Sequence, residues 1–193
     1  MSAETSLAAL VLRAAKFASQ RHAPQRRKDP QQTPYINHPL AVACVLADEA
    51  GVSDPAVLQA ALLHDTVEDT PTSLAEIERF FGADVRLYVA QCSDDTSLPK
   101  ADRKRLQIET APTKSDGAKL VKLADKIDNL RDLQRTPPVG WTLSRVQEYF
   151  AWAKRVTDGC AGVSPAMDSI LAGIYAGEFE YEGRRYPCLT TTE

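Results

Sequence analysis

Between Ala60 and Thr70, in AALLHDTVEDT, an apolar run closes on four hydrogen-bonding, metal-capable side chains. The residues that lead into it, Val57, Leu58, Ala61 and Leu62, recur at helical spacing, so the stretch reads as the working end of a buried helix. His64 and Asp65 then emerge one turn after packed positions that hold the backbone still. If the helix continues, His64 lies over Glu68 and Asp65 over Asp69, because positions four apart share a face. Two adjacent pairs would then point into one pocket.

His64-Asp65 alone is a short and common motif, so its meaning depends on context. That context is a second histidine, His38 in YINHP, and an aspartate, Asp125 in KLADKIDNL. Two imidazoles and two carboxylates form a mixed nitrogen and oxygen set suited to a divalent ion such as Mn²⁺, Fe²⁺ or Zn²⁺, with positions left for water. The chemistry expected of such a set is hydrolysis.

At 193 residues the chain is the size of one domain, long enough to bury a stable core without covalent staples. A charged fraction of 25% and a net charge of −3 are too balanced for a nucleic-acid or membrane surface, so any basic site must be local. Cys44, Cys92, Cys160 and Cys188 are scattered, with no CxxC pair, and the first three fall within helical patterns as buried thiols, which fits a reducing, cytoplasmic compartment. No apolar run approaches the roughly 18 residues of a membrane span, and the N-terminus lacks the layout of a secretory signal.

Taken in order, Leu7, Leu10, Val11, Ala14, Phe17 and Ala18 suit a first core helix. A loop broken by Pro24, Pro30 and Pro34 follows, and it concentrates Arg26, Arg27 and Lys28, either as a solvated surface or as a phosphate contact. Asn37-His38-Pro39 leads into a helix stopped by Gly51, and Ser53 or Asp54 with Pro55 opens the helix that delivers His64. Ser73 and Glu76 form a capping-box pattern for the next helix. Arg103, Lys104 and Arg105 read as a mostly solvated face. A long helix from Ser115 to Arg135 carries an apolar arc opposite Asp125, Asp128, Asn129 and Asp132, a pattern shared by surface helices and by helices that cross a pocket. A further amphipathic helix sets Arg145 and Tyr149 on one face. Near the C-terminus the alternation about Glu182-Gly183 suggests a small hairpin.

The strings RRKDPQQTPYINHP, AALLHDTVEDT, RKRLQIE, KLVKLADKIDNLRDL and GWTLSRVQEYFAWAK closely resemble the small metazoan-type SpoT homologues. These are stand-alone HD-domain relatives of the hydrolase half of bacterial RelA/SpoT enzymes, and the resemblance spans about residues 5 to 160. It implies an all-α HD-domain helical bundle that binds one Mn²⁺ and hydrolyses the alarmone ppGpp to GDP and pyrophosphate. By motif, His38, His64, Asp65 and Asp125 correspond to metal ligands, and Glu68 and Asp69 to the pair that activates and orients the attacking water. Arg27 and Lys28 fall where the family holds the nucleotide, Asn129 near its ribose, and Lys100, Arg145 and Tyr149 where it contacts phosphates. The loop SDDTSLPK departs from the family at Ser93 and Thr96, where relatives often carry Thr and Lys.

The expected division is a hydrolase domain over 1–161 and a C-terminal extension over 162–193, with no room for the alarmone-synthesising domain of the long enzymes. The partner expected is a small nucleotide, with neither nucleic acid nor membrane. Animal relatives also remove the 2′-phosphate of NADPH, a second candidate substrate on the same site. An idle nucleotide sensor is a further alternative, opposed by the intact His38, His64, Asp65, Asp125, Glu68 and Asp69. The oligomeric state is not legible.

Overall fold

The computed structural model describes residues 6–190. It opens with α1 (Leu7–Arg21), capped by the Ser6 hydroxyl, which accepts the Ala9 N–H. The loop after it folds back on itself: Arg27 N–H donates to Thr33 O, and Tyr35 N–H donates to Gln25 O. Helix α2 (Asn37–Cys44) widens into a π turn at Val45–Glu49. Asp54, rather than Ser53, caps α3 (Pro55–Leu63) by accepting from Ala56 N–H, with Pro55 in the first turn.

Helix α3 is buried on every side from Val57 to Leu63, the pattern of a central helix rather than an amphipathic one. It packs against α1, α2, α6 (Ala83–Cys92) and α8 (Asp116–Arg135). Helix α8 is the second central element, in contact with α2, α3, α6, α9 (Leu143–Asp158) and α10 (Pro165–Ala176). Its polar strip is therefore enclosed: Lys122, Asp125, Lys126 and Asp128 are each less than one-tenth exposed, so α8 crosses a pocket and is not a surface helix. Around this pair stand α5 (Leu74–Phe81), capped by the Ser73 hydroxyl as the capping-box pattern anticipates, and α7 (Lys100–Thr110).

The helix does not continue beyond Leu63. His64 and Asp65 occupy a turn, and a separate one-turn helix, α4 (Thr66–Asp69), follows. Side chains take over the orphan carbonyls at the end of α3: His64 Nδ1–H donates to Ala61 O at 2.8 Å, and the Thr66 hydroxyl donates to Leu63 O at 2.6 Å. The expected stacking of His64 over Glu68 on one continuous helix is thus replaced by a corner at His64-Asp65, from which His64 and Asp65 meet at 3.1 Å.

The C-terminal strands β1 (Glu178–Tyr181) and β2 (Arg184–Pro187) form the expected antiparallel hairpin. Glu182 and Gly183 at its turn have φ of 50° and 73°, the positive pair of a type I′ turn. The hairpin joins the main core: Phe179 is 1% exposed and stacks on Phe150 of α9 at 5.4 Å. Cys92, Cys160 and Cys188 are buried, whereas Cys44, expected as a buried thiol, is exposed, and all four are free. Among the described residues no helix is long and apolar enough to cross a membrane.

Candidate active site

Three elements converge on one buried point. The second residue of α2 supplies His38, the corner after α3 supplies His64 and Asp65, and the middle of α8 supplies Asp125. Donor atoms of His38, His64 and Asp65 lie within 4.8 Å of one another, a spacing that could hold a metal ion. Asp125 Oδ1 sits 3.2 Å from His38 Nε2 and 3.9 Å from His64 Nε2, and Asp65 Oδ2 lies 3.7 Å and 3.1 Å from the same two atoms.

The outer nitrogens of both rings are already committed. His38 Nδ1 is 2.6 Å from Asp128 Oδ2, and His64 Nδ1 faces the Ala61 carbonyl. Both Nδ1 atoms therefore carry the proton and donate, which leaves Nε2 of each ring to face the centre as an acceptor. His64 Nε2 is buried and makes no hydrogen bond. Two nitrogen lone pairs crowded against two carboxylates repel unless positive charge stands among them. Protons can supply some of it: burial pulls His38 down, but its bonds to Asp125 and Asp128 outweigh that and hold its pKa up at about 9. Burial would raise Asp65 and Asp125, yet His64 holds the first, and Lys126 and His38 the second, below the ordinary carboxylate range. A divalent ion meets the same demand with the donor set present, so the residues fit a metal.

Glu68 and Asp69 sit beside this centre under opposite pressure. Burial raises the Glu68 carboxyl, and Asp94, Asp65 and Asp69 add to that against one hydrogen bond from the Asp94 N–H. Burial and the Asp65 charge likewise raise Asp69. Carboxyls whose proton affinity is lifted toward neutrality suit proton transfer. Glu68 is held at both oxygens, by Asp94 N–H at 3.0 Å and by Arg103 Nη1 at 3.3 Å.

Next to His38 opens a cleft of about 560 Å³ whose walls include Arg27, Lys28, Asn129, Trp141 and Tyr149. Four of the six residues expected to bind substrate thus line one cavity. Arg145 joins at its rim, with its guanidinium 4.3 Å from the Trp141 ring centre. Lys100 is exposed at the start of α7 and does not line the cleft. Arg27 donates to Asp132 at 2.6 Å and to Asn129 Oδ1 at 3.1 Å, while Asn129 donates to Asp125 Oδ1 at 2.5 Å. A chain of hydrogen bonds therefore runs from the cleft wall to the candidate metal centre.

Several neighbours of the site have no role at the centre in the sequence reading. Tyr35 donates its hydroxyl to Asp65 Oδ2 at 2.6 Å, and Asp128 orients His38. Asp128 stands three residues after Asp125 on α8, and that helical spacing was the available signal, whereas Tyr35 lies in the turn before α2 and meets Asp65 across the fold. Arg103 and Lys104 do not form a solvated face: Arg103 grips Glu68, and Lys104 lies 4.7 Å over the Trp152 ring. A run of three cations cannot reveal which of them turns inward; Arg105 does face solvent.

Residues 14–150 match the HD domain family model. The chain is 59% identical over 167 residues to guanosine-3′,5′-bis(diphosphate) 3′-pyrophosphohydrolase MESH1 of Xenopus tropicalis, covering 86% of this chain and 93% of that protein. It is 58% identical over 170 residues to the protein of the same name from Homo sapiens, covering 88% and 95%. Among solved structures, one described as "A metazoan ortholog of SpoT hydrolyzes ppGpp and plays a role in starvation responses" superposes with a TM-score of 0.85 at 48% identity, covering 90% of this chain and 97% of that one. The arrangement of α2, α3 and α8 around a histidine and aspartate centre, and these likenesses along nearly the whole chain, place it in the HD-domain family, among the metazoan SpoT homologues.

Proposed function

We propose that the chain is a metal-dependent ppGpp 3′-pyrophosphohydrolase, adding water across the 3′ phosphoester to give GDP and pyrophosphate. The relatives named for that activity cover the chain almost end to end. The structural observation that carries the reading is the buried, unpartnered His64 Nε2 turned toward His38 and two carboxylates. His38, His64, Asp65 and Asp125 would hold one divalent ion; the mixed donors admit Mn²⁺, Fe²⁺ or Zn²⁺, and we assign Mn²⁺ from the resemblance to the metazoan SpoT homologues. The bound ion supplies the charge that acidifies water and polarises a phosphoryl oxygen.

The chain's own side chains do the rest. Glu68, fixed by Asp94 and Arg103, and Asp69 take the proton of the attacking water and return one to the departing 3′ oxygen. Arg27 and Lys28 hold the nucleotide from the loop side of the cleft, and Asn129 reaches the ribose from α8. Arg145, Tyr149 and Lys100 neutralise phosphates, with Lys100 approaching from outside the cleft. Trp152 donates its indole N–H to the Lys104 carbonyl at 3.0 Å and so ties α9 to α7.

Residues 1–161 form the hydrolase domain in this reading, and 162–193 an extension that braces it. Tyr181 of the hairpin donates to the Trp141 carbonyl at 3.1 Å, so the extension supports the loop that bears a cleft wall. Four free thiols suit a cytoplasmic setting. Incubating Mn²⁺-loaded and metal-free protein with ppGpp and, separately, with NADPH decides the substrate. GDP and pyrophosphate from ppGpp with metal support the proposal. Phosphate from NADPH with ppGpp untouched would keep the site and change the substrate, and no product from either would make the chain a nucleotide-binding module.

A further inference from the structure

Lys126 is 5% exposed and follows Asp125 on α8, yet it has no part in the chemistry above. Its ammonium lies 2.8 Å from Asp125 Oδ2, whereas Asp125 Oδ1 is the oxygen nearest His38 Nε2. Lys126 therefore grips the metal-ligand candidate from behind. Its other neighbour is the Trp152 ring, 4.9 Å away, which also carries the Lys104 ammonium at 4.7 Å. Among the described residues Asp125 is the one carboxylate in salt-bridge contact with Lys126.

A buried ammonium is costly, and orienting Asp125 does not require it. Asn129 already donates to Asp125 Oδ1 at 2.5 Å, and a neutral side chain of the same length could fill the space against Trp152. What only a cation provides is charge. Asp65, Asp125 and Asp128 bring three negative charges to the centre and Asp69 stands beside them, more than a divalent ion cancels, while Glu68 is already matched by Arg103. Lys126 offsets one of the excess charges. Without it the loaded centre would be more negative where a multiply charged phosphoryl group must approach.

We infer that Lys126 is a positioning residue that acts through Asp125, its charge weakening the hold on the divalent ion so that the loaded centre accepts a polyanionic substrate. This rests on the metal centre proposed above. It makes the two affinities move in opposite directions when the charge is removed, which ordinary structural damage would not do.

The test compares wild type with Lys126→Met, Lys126→Gln and Lys126→Arg. Mn²⁺ affinity is read from the electron paramagnetic resonance signal of the free ion, and kcat and KM are measured with ppGpp. Both neutral variants should bind Mn²⁺ about tenfold more tightly and raise KM by about the same factor. Lys126→Arg should stay near wild type. Gln retains a donor for Asp125 Oδ2, so wild-type values in Lys126→Gln would show a hydrogen-bond role and overturn the inference, as would weaker Mn²⁺ binding in either neutral variant. If a neutral variant unfolds without metal, the Mn²⁺-induced rise in unfolding temperature replaces the titration. A larger rise than wild type supports the inference, and an equal or smaller one overturns it. Failure of wild type itself to bind Mn²⁺ would refute the metal centre along with the inference; failure confined to the variants refutes only the role of Lys126.

Discussion

Asp128→Ala tests whether the centre depends on how its histidines are held. His38 is 3% exposed, so when Asp128 is truncated no bulk water stands ready to replace the lost partner. The bond removed, 2.6 Å from His38 Nδ1 to a carboxylate, is charge-assisted, a class worth about 1.5–3 kcal/mol. Expressed wholly in metal binding, that is a factor of about 10 to 150, in line with the ~10–100-fold typical of losing a carboxylate behind a metal-bound histidine. Two physical effects act together: the imidazole loses its fixed tautomer, and its Nε2 becomes a poorer donor. The assay is a Mn²⁺ titration of apo protein, with Asp158→Ala, an exposed carboxylate at the end of α9 paired with Lys154, as control. Asp158→Ala should bind Mn²⁺ like wild type. An Asp128→Ala affinity within about twofold of wild type would refute the reasoning.

Glu68→Ala should keep Mn²⁺ binding and lower kcat by about 10²–10⁴, as loss of a general base does; loss of the metal instead would undo the separation of ligands from proton carriers. Phe179→Ala removes a ring buried against Phe150 and should cost about 3–5 kcal/mol in urea unfolding, whereas a change under about 1 kcal/mol would mean that the hairpin is not part of the core. Burial opposes ionisation of Asp132, but Arg27 and Arg135 outweigh it and hold its pKa below the ordinary 3.8. Its stabilising contribution is therefore complete above that value and lost as pH falls through the lower folded value. Asp132→Asn should thus be less stable than wild type near neutral pH, with the gap closing in acid; a gap independent of pH would contradict this.

The helices were legible because their apolar spacing and stop signals are local. Asp54 with Pro55, Ser73, and the Glu182-Gly183 turn each act within a few residues, and the structure uses all three. The corner at His64-Asp65 was not legible as a corner. His64, Asp65, Thr66 and Val67 are weak helix formers, which marks no specific break, and the corner forms where the His64 and Thr66 side chains occupy backbone carbonyls of α3. The buried polar face of α8 posed a different problem. Asp125, Lys126 and Asp128 have the spacing of a surface strip, and only the packing of α2, α3 and α9 around α8 makes them interior. His38, His64 and Asp65 stood out because imidazole and carboxylate at helix ends are chemically distinctive, whereas Asp125 lies in the middle of α8. The residues that orient them, Tyr35, Asp128 and Lys126, act across the fold or from a neighbouring turn and carry no motif of their own.

The most direct measurement of the central claim is product identification by ion exchange after ppGpp is incubated with wild type and with Asp65→Ala, each metal-free and Mn²⁺-loaded. GDP and pyrophosphate should appear in equal amounts from Mn²⁺-loaded wild type alone. Comparable GDP from metal-free protein, or from Asp65→Ala, would contradict a hydrolase built on this centre.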